Sequence, residues 1–238
     1  MTPTFVIATN FIREQRWPLI VLMLWVIGSS LAAGLGTDKL VSDDVVFFLK
    51  TQAVYGIAFI AFLSASAIYN ERKSRRILAV LSKGISRPHY IFSLLLGVLI
   101  SGALYCVAMG ITGSLMFRNA GLTQSQLWWV ILVLMTSFVV TATVAMFFST
   151  FLSPLFATAA TAFALGTPAI AAHISAGAWS QILPVYYLMD GILSFSAGST
   201  TGWDTVWSSV FWALLDSAIL WALASWLFSY RDIAVAIE

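Results

Sequence analysis

Charge is what this chain has least of. Only 9% of its 238 residues are Asp, Glu, Lys or Arg, against about 25% in an ordinary soluble domain. A globule of this size could not cover its surface in water with so few charged side chains. Cysteine is nearly missing too. The one residue, Cys106, lies inside the apolar run Ile91 to Phe117, so neither a disulfide framework nor a thiolate metal cluster can be built. The two histidines, His89 and His173, have no second ligand at metal spacing and read as interfacial polar residues rather than metal ligands or catalytic groups. No G-x-x-x-x-G-K followed by Ser or Thr occurs, so the chain cannot form the loop that cradles nucleotide phosphates. A formal charge of +2 is too small to suggest a nucleic-acid partner.

What remains is apolar: 60% of the residues are hydrophobic and ten are Trp. That composition suits a chain solvated by lipid, and the expected class is an all-α integral membrane protein. Charge-free stretches locate the spans. Pro18 to Thr37, Thr51 to Asn70 and Pro88 to Phe117 each suffice for one crossing, which takes about 20 apolar residues. Asn119 to Met189 carries no charge at all and is too long for one helix. The cut falls at Ser149 to Pro154, because Pro154 lacks an amide hydrogen and biases its predecessor away from helix. The layout is one transmembrane domain over residues 1–238 with six spans, near residues 18–37, 48–70, 89–117, 127–148, 155–174 and 205–229.

The basic residues then give an orientation. Arg13, Arg16, Arg72, Lys73, Arg75, Arg76, Lys83, Arg87 and Arg231 fall on one side, and Lys39, Lys50 and Arg118 on the other beside Asp38, Asp43 and Asp44. The positive-inside rule makes both termini and the loop Glu71 to Pro88 cytoplasmic. Ahead of the first span, Phe5, Ile7, Ala8, Phe11 and Ile12 recur at helical spacing beside Asn10, Arg13, Glu14 and Arg16, the pattern of an interfacial helix over residues 1–17 lying on the cytoplasmic leaflet. A competing reading takes Leu19 to Ile27, followed by Ser30-Leu31-Ala32, as a cleaved signal.

In the loop, apolar Ile77, Val80, Leu81 and Ile85 fall at i, i+3, i+4 and i+8 among Arg72, Lys73, Arg75, Arg76, Lys83 and Arg87. They make one stripe on a short cationic helix stopped by Gly84 and Pro88. Anionic lipid head groups could hold such a helix, at about 1 kcal/mol per basic residue. Alternatively a cytoplasmic protein could take the stripe as its buried face.

Glu71, the basic run, Ile77 to Ser82, and Ile85-Ser86-Arg87 before a new span together resemble the cytoplasmic loop of ABC-2-type permeases. These are the membrane subunits of many bacterial ATP-binding-cassette exporters. The likeness extends over most of the chain, with two departures: Arg75-Arg76 stand where a Gly-Thr pair is usual, and Gly84 where Pro is usual. The resemblance implies a coupling helix that docks on a separate cytoplasmic ATPase through Glu71, Arg72, Arg75, Arg76, Ile77, Val80, Leu81, Gly84, Ile85 and Arg87. It implies ATP and Mg in that partner and no cofactor here. It also implies two ATPase copies, and a second permease copy or a homologous partner. The location would be the cytoplasmic membrane of a prokaryote.

Between the fifth and sixth spans, Ile182 to Met189 is too apolar for a loop in water, so a re-entrant hairpin is expected there, or an interfacial cap anchored by Trp179, Tyr186, Tyr187 and Trp203. In the resembling family this hairpin lies near the exit of the path, which makes Tyr186 and Tyr187 candidates to line it. Asp216 is a third candidate, because it lies well inside the sixth span. Nine residues beyond Trp207 put it roughly 14 Å down the helix, where a charge costs at least ~2.5 kcal/mol. The fifth span is rich in Ala from Ala157 to Ala169, a surface for close helix approach, and its Gly166-Thr167-Pro168 is expected to bend or break the helix. Two other functions were weighed. One is a secondary carrier with Asp216 titrating during transport. The other is an intramembrane enzyme, for which no nucleophile with its base is present. The wholly apolar interior suits a lipid-like, hydrophobic or haem-like cargo better than a sugar.

Overall fold

The computed structural model describes residues 3–35, 42–73, 85–120, 124–174 and 203–230, helical apart from a few connecting residues. The helices are α1 (Pro3–Glu14), α2 (Arg16–Leu35), α3 (Ser42–Lys73), α4 (Arg87–Asn119), α5 (Gln124–Ser149), α6 (Pro154–Ile174) and α7 (Trp203–Tyr230). Five of them, α2, α3, α4, α5 and α7, are long and apolar enough to cross a membrane. The described part is therefore an all-α membrane protein. In lipid a backbone amide has no water to turn to, and the helix is the element that satisfies every such group within one segment.

Local chemistry sets the ends. Ser86 precedes α4 in an extended conformation (φ −68°, ψ 147°), with Pro88 in the first turn, where a missing amide hydrogen costs nothing. Between α5 and α6, the Ser149 and Thr150 hydroxyls donate to the carbonyls of Met146 and Phe147 at 3.2 and 2.7 Å. They cover acceptors that the end of a helix leaves open. Pro154 then opens α6, whose first backbone bond runs from Ala157 to the Ser153 carbonyl at 2.8 Å. Of the two outcomes expected at Pro168, a bend or a break, the break does not occur: α6 continues to Ile174. Proline is tolerated inside membrane helices because neighbouring groups and small local adjustments take up the freed carbonyl.

At the centre stands α5, which packs on α3, α4, α6 and α7. Its apolar window is 72% buried, against 17% for α2 and 28% for α7. Those two outer helices keep broad apolar faces uncovered, with Val21, Leu24 and Trp25 exposed on α2 and Phe211, Trp212 and Ile219 on α7. Phe138 of α5 fits against Gly56 of α3 and Gly102 of α4. A methyl on Gly56 would meet its ring at 2.9 Å, and one on Gly102 would meet it at 2.8 Å. Tyr105 packs edge-on against the same ring, centroids 5.8 Å apart. The alanine-rich face of α6 is in part used internally, since Ala157 meets Ala65 of α3 and Ala145 of α5 in a small cluster. Helix α1 rests on α4: its Ala8 and Phe11 are buried, and a methyl on Gly97 would lie 2.8 Å from the Phe11 ring. Two of the five stripe residues read as facing the leaflet, Ala8 and Phe11, are thus turned to protein, while Phe5 stays exposed.

Candidate functional site

The junction between α3 and α4 is where the sequence reading concentrated its candidates. Glu71 lies in the last turn of α3 and is only 8% exposed. The hydroxyl of Tyr90, itself 1% exposed in the first turn of α4, donates to Glu71 Oε2 at 2.6 Å. Arg87 opens α4, and its guanidinium Nη1 donates to the carbonyls of Phe228 and Ser229 at 3.2 and 2.9 Å. Those carbonyls belong to the last turn of α7. A cation there satisfies orphan acceptors and sits at the negative end of the helix dipole. Three helix ends are thereby tied at the mouth of one loop.

Ile85 is half-buried beside this junction, and Arg72 is in the final turn of α3. Arg75, Arg76, Ile77, Val80, Leu81 and Gly84 lie outside the described residues, as do Tyr186 and Tyr187. The structure therefore brings Glu71 and Arg87 to one place and adds Tyr90, which the sequence reading did not single out. Its signal was available in principle, because Tyr90 stands three residues after Arg87, one helical turn along the same face.

A second polar locus was also missed. The side-chain amide of Gln52, on α3, donates to Ser29 Oγ at 3.0 Å, Ser30 Oγ at 3.3 Å and the Val26 carbonyl at 3.4 Å, all on α2. The Tyr105 hydroxyl of α4 donates to the Gln52 backbone carbonyl at 2.6 Å. A neutral amide inside a span carries no charge to draw attention, yet burial requires partners for it. These bonds join α2 to α3. Next to them a cleft of about 420 Å³ opens between α2 and α4, with Ser30, Thr112, Arg118 and Asn119 on its wall.

Asp216 is the fourteenth of the 28 residues of α7, so it lies about 20 Å from either end of the helix at 1.5 Å per residue. Its neighbours along the face at i−3 and i+4, Ala213 and Leu220, belong to an apolar cluster with Val140 and Val144 of α5 and Leu165 of α6. Carboxylate Oδ2 is buried with no hydrogen-bond partner among the described residues. The hydroxyl of the adjacent Ser217 is used inside its own helix, donating to the Ala213 carbonyl at 2.7 Å. No group of three or more His, Cys, Asp or Glu side chains is placed to hold a metal ion among the described residues.

Long lipid-facing helices around one buried central helix, with polar groups gathered at helix ends and in two small internal loci, define a multi-pass membrane protein. The model of the ABC-2 family transporter protein matches residues 37–226. That is 190 of the 238 residues, and the chain belongs to this family. No individual curated protein matches it.

Proposed function

We propose that the chain is the permease subunit of an ATP-driven exporter in the cytoplasmic membrane of a prokaryote, and that residues 74–84 form the helix gripped by a separate ATPase. Membership of the ABC-2 family supports the transport role. The sequence has no phosphate-cradling motif, which supports a reading in which hydrolysis belongs to a partner chain. In this reading the loop emerges on the cytoplasmic side, six helices cross the bilayer, and both termini lie inside. Two permease copies, or this chain with a homologue, enclose the path, and two ATPase copies drive them. ATP and Mg belong to that partner.

The observation that carries the coupling is the three-helix tie. Glu71 and Tyr90 bind the end of α3 to the start of α4, and Arg87 binds the start of α4 to the end of α7. A push on the connecting segment therefore reaches three helices at once, and through α4 and α7 it reaches central α5, on which both pack. Interfaces of this kind shift between discrete arrangements rather than deforming smoothly.

The test is co-purification from the native membrane with a tagged chain. Replacing Ile77 and Leu81 with Asp should remove the co-purifying ATPase while leaving the permease in the membrane. Retention of the ATPase by the doubly substituted chain refutes the docking role. Transport by the chain alone in proteoliposomes, following a proton gradient, would instead establish a secondary carrier.

A further inference from the structure

Resting on the permease reading above, we infer that Asp216 is the recognition point for a lipophilic cation, an amine or onium group carried on an apolar body. Four observations converge on this side chain. It stands midway along α7, whereas every Lys and Arg in the described helices lies within nine residues of a helix end. Oxygen Oδ2 is buried and has no hydrogen-bond partner among the described residues. The flanking residues Ala213 and Leu220 contribute to an apolar wall with Val140, Val144 and Leu165. On the other flank, Trp212 stands one turn away at i−4 and is 51% exposed.

The chemistry follows from that setting. A carboxylate in hydrocarbon surroundings binds a positive charge far more strongly than it would in water, because nothing screens the pair. Among the described helices no Lys or Arg stands as far from a helix end as Asp216, so for the ionised side chain we look to a counter-charge from outside. A strongly hydrated inorganic ion would lose its water with few oxygens to replace it, since one carboxylate is a poor substitute for the six or more that hard cations take. An onium or ammonium group on an apolar body loses little hydration and gains contact with Trp212, whose ring face attracts cations. Helix α7 supplies the access, since only 28% of its apolar window is covered by the rest of the chain. One helix thus presents a charge at the edge of a packed cluster and, one turn away, a half-exposed indole.

The experiment uses the full chain in nanodiscs of zwitterionic lipid and two probes of matched shape and opposite charge, tetraphenylphosphonium and tetraphenylborate. Affinities are read by equilibrium dialysis against empty discs. Asp216→Asn is expected to weaken tetraphenylphosphonium binding about tenfold or more and to leave tetraphenylborate binding unchanged. Asp216→Glu should retain preference for the cation, and Trp212→Leu should weaken the cation by a few-fold through loss of the ring face. Equal tetraphenylphosphonium affinity in wild type and Asp216→Asn overturns the inference, as does a parallel loss of both probes, which would mark a packing role. Elution volume and melting of each variant verify that it is folded. No ATPase enters this measurement, so its failure leaves the docking reading standing, and loss of docking leaves the cation site to be judged on its own.

Discussion

Tyr90→Phe removes one oxygen and leaves the ring that packs against the core. The lost bond is the 2.6 Å donation to Glu71, with both residues buried, 1% and 8% exposed, so water cannot readily take the place of the hydroxyl. A hydrogen bond to a charged group contributes about 1.5–3 kcal/mol in soluble proteins. Side-chain bonds between membrane helices average about 0.6 and reach about 1.7 kcal/mol. A carboxylate acceptor at a helix end belongs near the top of the membrane range, so about 1.5 kcal/mol is expected, or roughly tenfold in the unfolding equilibrium. Tyr105→Phe is the internal control. Its hydroxyl donates at the same 2.6 Å to the backbone carbonyl of Gln52, which already lies inside a helix, and its loss should cost about 0.6 kcal/mol. The assay is reversible unfolding in mixed micelles with Glu71→Ala, Tyr90→Phe and the double variant as a cycle. Contacts that each residue makes elsewhere cancel, and the pair should show a coupling of about 1 kcal/mol or more. Coupling near zero, or a Tyr90→Phe cost no larger than that of Tyr105→Phe, would refute the claim that this bond ties α3 to α4.

Arg87→Ala should loosen the last turn of α7 by about 0.5–1 kcal/mol, a value at the surface end of the helix-terminus range because Arg87 is only half-buried. Hydrogen exchange over residues 226–230 should speed up several-fold, and Arg87→Lys should restore part of the protection; unchanged exchange would remove α7 from the tie. Gly102→Leu should destabilise by about 1–3 kcal/mol, since even a methyl there lies 2.8 Å from the Phe138 ring. Shrinking that ring with Phe138→Leu in the same chain should recover part of the loss in melting temperature. If the two substitutions add independently, the Phe138 ring is not the site of close approach.

The class of this protein was legible because lipid imposes few solutions. Sparse charge and long apolar runs leave a bundle of helices as the only economical reading, and the motif-like loop pointed to the family that the match over residues 37–226 establishes. Pro154 marks the start of α6 for a reason that is purely local, its missing amide hydrogen. Pro168 carries the same local signal and leaves the helix unbroken, because what surrounds a proline decides whether its lost bond matters. Glu71 and Arg87 drew attention through charge. Tyr90 and Gln52 did not, since a phenol and a neutral amide are unremarkable until the fold shows what they bond.

Composition and charge placement, then, determined the solvent and the element type, because each is set by sums over many residues, and the loop motif pointed to the family. Which helix is central, which apolar stripe meets protein rather than lipid, and which polar atoms are satisfied depend on a few contacts between residues far apart in the chain. Phe138 against Gly56 and Gly102, Phe11 on Gly97 and Arg87 on the end of α7 are such contacts. Asp216 stands at the boundary between the two kinds of knowledge. The sequence showed a carboxylate deep in a span, and the tertiary structure decided that one of its oxygens is enclosed without a partner among the described residues.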